Sequence, residues 1–414
     1  RMLSCYAPGR ESMREARTYL TLLACAAAGV AGMSAAQTPP KPARTPTGWE
    51  VSGIPTLNYN ADEGFGYGAM LQLYNYGATG KLPYLFTIQP TVFLTTGGRR
   101  DFTLFLDAPD LGKSGWRVDA YLGHGTQKAA PYYGIGNTTT RDKSLEQEPN
   151  EKYYRFGRQR VQVTTNLQRR LGASKLRVLL GAGAARVTVD EIPDGTTTTL
   201  LNEQLPPAGH APEGWSNYVS AGLIWDSRDR EVHTTRGTWA DLIVQRVATA
   251  LGSDWNFTRA TLTARKYVRL SPKITLAERV LLQNVTGGAP FYELAVVQTS
   301  FKPQKGLGGS NTLRGLPADR FIGKGLALSN TELRWRAAEF SLLGAPSSLT
   351  LSGFLDLGRV WADKITLTEA ASDLHSGYGG GVRIGRGPNF VIALDIGHSS
   401  ESAAAIYSGL GFLF

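Results

Sequence analysis

Thr258-Arg259-Ala260-Thr261-Leu262-Thr263-Ala264-Arg265-Lys266-Tyr267-Val268-Arg269-Leu270 reads with a period of two. Ala260, Leu262, Ala264, Val268 and Leu270 fall on one face, and Arg259, Thr261, Thr263, Arg265 and Arg269 on the other. That is the side-chain period of a β-strand. In a soluble sandwich the charged face would lie outside. In a membrane barrel the apolar face meets lipid and the charged face lines a wet lumen. Phe390, Ile392, Leu394 and Ile396 repeat the pattern with Asp395 opposite, as do Leu333 and Trp335 against Glu332, Arg334 and Arg336.

The alternation runs from Trp49 to Phe414 with turn signals between runs, and no amphipathic helix longer than a turn or two interrupts it. The runs begin near positions 51, 65, 84, 101, 115, 156, 175, 215, 237, 256, 273, 325, 348, 376, 389 and 403. Connections alternate in length. Gly125–Arg155, Asp190–Gly214 and Gly287–Lys324 are long, whereas Leu171–Ser174 and Ser271–Lys273 are short. Long loops outside and short turns inside are the outer-membrane rule. The expected fold class is all-β: one transmembrane antiparallel β-barrel of about sixteen strands, closed between first and last, with a long extracellular loop folded into the lumen.

Residues 1–36 read as a secretory signal peptide with its true start at Met13. Arg14 and Arg17 form the basic start, Leu20 to Met33 the apolar stretch, and Ser34-Ala35-Ala36 the cleavage site. Residues 37–48 read as a Pro-rich periplasmic leader and 49–414 as the barrel. Both cysteines, Cys5 and Cys25, fall in the removable part, which leaves no thiol chemistry and no disulfide framework. The formal charge is +10; residues 1–36 carry four of the 44 basic and two of the 34 acidic side chains, so the remainder carries +8. In an exported chain without a basic block this fits a basic lumen or a surface facing anionic lipid, not nucleic acid. The five His are scattered without metal-ligand spacing. No nucleophile elbow, P-loop or zincin signature is present, and Gly64-Phe65-Gly66-Tyr67-Gly68 lies in an expected strand. The chain reads as no enzyme, with no cofactor and no metal site.

Gly287 to Lys324 is a long Gly/Pro-rich segment centred on Gly308-Gly309-Ser310-Asn311-Thr312-Leu313-Arg314-Gly315-Leu316. A loop of this length inside a compact protein is functional or disordered, and the glycines with one central Arg suggest order. Four further motifs accompany it: Trp225-Asp226-Ser227-Arg228-Asp229 with Thr235-Arg236-Gly237; Asn330-Thr331-Glu332-Leu333-Arg334; Phe354-Leu355-Asp356-Leu357-Gly358-Arg359-Val360-Trp361; and Gly377-Tyr378-Gly379-Gly380-Gly381-Val382-Arg383. In this order, and with a terminal Phe, the set resembles the BamA/TamA superfamily, also called the bacterial surface antigen family. Leu316 stands where that family has an aromatic, and no polypeptide-transport-associated (POTRA) domains are read before the barrel.

The resemblance implies that Arg314, followed by Gly315, enters the lumen and pairs with Asp356 on the thirteenth strand. Parity agrees: Thr350, Ser352, Phe354 and Asp356 share one face, and Leu351, Leu355 and Leu357 the other. Glu332, inward on the neighbouring strand, is a second candidate partner. Asp226, Arg228 and Asp229 are expected to brace a periplasmic turn. Tyr132-Tyr133-Gly134-Ile135-Gly136-Asn137 is expected over the external mouth. The last strand, with Leu410, Phe412 and Phe414 read as lipid-facing, resembles the signal recognised for barrel assembly. The implied localisation is the bacterial outer membrane. The implied partners are outer-membrane lipid, the barrel assembly machinery, and client barrel proteins or periplasmic partners. The leading expectation is assistance in inserting or translocating protein, or lipid, at a weak seam. The alternatives are a passive pore with a basic lumen gated by the Arg314 loop, and a structural partner-binding barrel.

Overall fold

The computed structural model describes residues 46–60, 64–194, 196–205, 209–302 and 304–414. The signal segment 1–36 and the leader up to residue 45 lie outside the described residues. Sixteen antiparallel strands form one sheet in sequence order. They are β1 Trp49–Asn60, β2 Gly64–Asn75, β3 Phe86–Thr95, β4 Arg100–Ala108, β5 Trp116–Pro131, β6 Arg155–Arg170, β7 Leu176–Asp190 and β8 Gly214–Asp226. The second half comprises β9 Gly237–Val247, β10 Asn256–Arg269, β11 Ile274–Gly288, β12 Gly325–Leu342, β13 Ala345–Trp361, β14 His375–Arg386, β15 Phe390–Ser399 and β16 Ala405–Leu410. Each begins within three residues of its expected start. β5 runs further than expected, to Pro131, so the first of the three long connections starts at Tyr132.

Side-chain exposure alternates as the sequence pattern demands. On β10, Arg259, Thr261 and Thr263 are buried inside while Leu262 and Val268 are exposed on the outer wall. The helices are short; no helix among the described residues is long and apolar enough to cross a membrane. The β12–β13 turn is two residues long, and both Leu343 (φ 50°) and Gly344 (φ 75°) are left-handed. Two positive φ angles match the twist of a two-residue hairpin.

The long segment between β11 and β12 folds back into the barrel. Leu307, Leu313, Leu316 and Phe321 pack there against Leu281, Leu326, Leu328 and Val360 of the wall. Each fully buried side chain of this kind contributes about 1.5–3 kcal/mol. This is where the molecule keeps an apolar core; the usual barrel lumen is polar. A second apolar cluster, including Tyr132, Phe156, Phe291, Tyr292 and Ile322, lies at the end of the barrel that carries the long connections.

The expected closure is the point of departure. β1 and β16 adjoin, but among the described residues no ladder joins them. The edges explain this. The Tyr76 amide donates to the Gly48 carbonyl (2.8 Å), and Trp49 lies opposite Asn75. Even-numbered residues of β1 therefore bond β2, and odd-numbered ones turn their main-chain groups to the seam. Pro55 is odd-numbered and has no N–H to offer. On β16 the Gly411 amide donates to the Val391 carbonyl (2.8 Å), so Ile406, Ser408 and Leu410 face the seam. The facing strand is six residues long.

The chain end also departs from expectation. Leu410 keeps the outward parity of Ile406 and Ser408, but Gly411 has φ +88° and turns the chain inward. Phe412 lies against the Arg334 guanidinium (4.4 Å) and the His233 ring (5.8 Å). Phe414 is buried beside Tyr267 and Ala277. Neither ring faces lipid, because a left-handed residue breaks the period of two on which that reading relied.

Candidate functional site

The loop tip carries Arg314 into the wall formed by β12 to β15. Arg314, Asp356 and Glu332 are each 0% exposed. The guanidinium donates from Nε to Asp356 Oδ2 (2.8 Å) and from Nη2 to Asp356 Oδ1 (2.9 Å). Nη1 donates to Glu332 Oε1 (2.7 Å), with Asp395 Oδ2 at 3.4 Å. Its carbon lies 3.5 Å from the centre of the Phe354 ring. A planar fork answering a carboxylate with two parallel bonds is what Arg does and Lys cannot.

The carboxylates are themselves held. Asn330 Nδ2 donates to Asp356 Oδ1 (2.8 Å), and Arg334 Nε to Glu332 Oε2 (2.8 Å). Arg383 forks onto Asp395 at 2.7 and 2.9 Å. Arg279 Nε donates to Asn330 Oδ1 (2.8 Å) and Nη2 to the Asn311 carbonyl (2.7 Å). Each carboxylate of the network thus meets a guanidinium, the condition under which buried charge is tolerated, while Arg383 Nε is left without a hydrogen-bond partner.

The loop tip reaches the last two strands as well. The Gly315 amide donates to Tyr407 Oη on β16 (3.0 Å), and Ser399 Oγ on β15 donates to the Gly315 carbonyl (2.8 Å). This approach is possible because the wall lacks side chains there. Gly377, Gly379 and Gly381 share the inward face of β14. A Cβ on Gly377 would strike the Arg314 carbonyl, and one on Gly381 the Asp395 carboxylate. Gly315 itself has φ +99° and lies against the His398 carbonyl.

At the turn between β8 and β9 the structure divides the expected triad. Arg228 forks onto Asp226 (2.9 and 3.1 Å) and lies 4.4 Å from the Trp239 ring. Asp229 instead accepts from the Thr235 amide (2.9 Å), the Thr235 hydroxyl (2.6 Å) and the Arg236 amide (3.2 Å). Burial alone would raise the Asp229 pKa, but these bonds hold it below the ordinary value.

In the same turn, burial holds the His233 imidazole down at about 4, with Arg336, Arg230 and Arg334 adding to the effect. The unfolded chain, with its ordinary value of 6.5, takes up the proton first. This contribution to stability is therefore full above pH 6.5 and lost as pH falls towards 4. Urea-unfolding midpoints of the barrel should fall over that window, and less steeply in His233→Gln. Equal slopes would show that His233 does not govern it.

At the mouth, the Gly136 amide donates to the Ile322 carbonyl (2.9 Å), Asn137 Oδ1 accepts from the Val360 amide (3.0 Å), and Asn137 Nδ2 donates to the Asp373 carbonyl (2.8 Å). The Tyr132–Asn137 segment thus pins the loop from above. Sequence reasoning missed Asp395, Arg383, Asn330 and Tyr407 as members of the network, although Asp395 was legible as inward-facing. The alternate spacing of Gly377, Gly379 and Gly381 was the signal for the groove.

A family model described as the Omp85 superfamily domain matches residues 95–403. Among solved structures, the chain is similar to BamA from Haemophilus ducreyi lacking POTRA domains 1–3, at 14% identity over 88% of this chain and 69% of that one, with a TM-score of 0.51. It is also similar to CdiB from Escherichia coli, at 12% identity over 87% of this chain and 61% of that one, with a TM-score of 0.53. It therefore spans about three fifths of the CdiB chain, and both likenesses concern the fold. No curated protein matches this chain. The sixteen-stranded sheet, the loop folded into it and the family match over most of the sequence place this chain in the Omp85 superfamily.

Proposed function

We propose that this chain acts in the bacterial outer membrane by offering the β1/β16 edge to an incoming polypeptide strand, and so assists insertion or translocation of protein. The observation that carries this reading is the unladdered seam: a six-residue β16 faces a β1 whose Pro55 lacks a donor on that side. An unpaired strand edge is a template for another strand. The Arg314 loop belongs to the same device, because its Gly315 amide holds Tyr407 of the seam strand. The loop fills the upper lumen with apolar side chains, which argues against a passive pore at rest.

A photo-crosslinking side chain at Leu410 tests the reading in living cells. Crosslinks to polypeptides in transit are expected. Pro55→Val, which restores a donor at the seam, should lower their yield. Capture of the protein's own β1 alone, unchanged in Pro55→Val, would overturn the proposal. Capture of glycolipid alone would overturn polypeptide as the cargo.

A further inference from the structure

The outer wall of the barrel carries a polar island on the side away from the seam. Lys266 of β10 is directly opposite Glu278 of β11 in register, and both point outward. Lys266 Nζ donates to Thr238 Oγ1 of β9 (3.3 Å). Glu278 accepts from the hydroxyls of Ser329 (2.7 Å) and Thr331 (2.6 Å) on β12. The two charged groups thus lean apart, one towards β9 and the other towards β12. Among the described residues no ion pair joins them.

The island lies within the lipid-facing band. Outward and exposed on the periplasmic side of it are Val268, Leu270, Leu333 and Trp335; on the extracellular side are Leu262 and Val280. A charged side chain on the lipid face of a barrel is unfavourable, most of all away from the interfaces. Lys266 has three donors and one hydroxyl partner. Hydrocarbon supplies none of the rest.

We propose that this wall is the contact between two copies of the chain, with Lys266 of each copy paired to Glu278 of the other. A two-fold interface requires a self-complementary patch, in which residue i meets j and j meets i. Two opposite charges side by side at the centre of one patch satisfy that condition. A two-fold axis along the membrane normal, passing between β10 and β11, brings β10 of one copy against β11 of the other. On the extracellular side Ala264 and, opposite it on β9, Ala240 are small, and Val280, Val268 and Leu276 complete an apolar rim around the charges, which excludes water from the contact. An anionic lipid headgroup is the weaker occupant, because Glu278 beside Lys266 repels a phosphate. In strand order the β10–β11 wall lies far from β1 and β16. The dimer therefore leaves the seam in lipid, and its test is independent of the proposed function.

The experiment measures the mass of the full chain in lipid nanodiscs, with folding checked by heat-modifiable migration. The wild type is expected to be a dimer. Lys266→Glu and Glu278→Lys each place like charges across the axis and should weaken the dimer by about tenfold or more. The double variant Lys266→Glu/Glu278→Lys should restore it, and an equal mixture of the two single variants should give the hetero-dimer. A monomeric wild type, or single variants that stay dimeric, would overturn the proposal. A monomer that binds phosphatidylglycerol and loses it in Lys266→Glu would assign the island to lipid instead.

Discussion

Arg314→Ala should release the loop. The substitution strips Asp356 of a bidentate partner and Glu332 of one of its two hydrogen-bonded Arg partners, at sites with no solvent exposure. Removing one member of a buried charge pair costs roughly 3–5 kcal/mol, because the other charge stays behind. The expected result is protease cleavage within residues 291–324 of an otherwise folded barrel, at concentrations that spare the wild type. Arg314→Lys keeps the charge but not the fork and should fall between the two. The double variant Arg314→Ala/Asp356→Asn removes the stranded charge and should recover part of the loss. Unchanged protease sensitivity in Arg314→Ala would show that these contacts do not hold the loop.

Gly377→Val should have a comparable effect without touching any charge. A Cβ at this position meets the Arg314 carbonyl, a main-chain atom that cannot rotate away, and Leu313 Cδ2 at 3.0 Å. Overpacking of this kind costs about 1–3 kcal/mol or more. Relief comes most readily by lifting the loop tip out of its groove, which also breaks the bonds of Gly315 to Tyr407 and Ser399. Protease sensitivity should rise as in Arg314→Ala, and crosslinking from Leu410 should change in parallel. Gly353→Ala is the control, since its Cβ would meet nothing within 4 Å. Equal behaviour of the two glycine variants would show that the groove is not what seats the loop.

The strands were legible because a wall with lipid on one side and water on the other writes its period into every segment. Thr258–Leu270 alone distinguishes the faces. The meeting of Arg314 with Asp356 was suggested by resemblance and agreed with parity. What surrounds that pair could not be read. Tyr407 and Asp395 belong to strands distant in sequence from the loop, and only the side-by-side pairing of β13 to β16 and the curvature of the sheet bring them to it. Phe412 and Phe414 were misplaced because one left-handed glycine inverts every face after it. Lys266 and Glu278 sit on faces otherwise apolar, and a reading by majority passes over them. Pro55 is plain in the sequence, but its meaning depends on which edge its nitrogen faces, and that is fixed only by the register with β2.

The inward turn at Gly411 ties the residues after β16 to the middle of the sheet. In the finished molecule Phe412 and Phe414 are taken up by Arg334, Tyr267 and Ala277, and the main-chain oxygen of Phe414 accepts from Arg334 Nη2 (3.1 Å). The two rings therefore find their partners only once β10, β11 and β12 stand side by side, so the last residues are seated by the wall and not by their own strand.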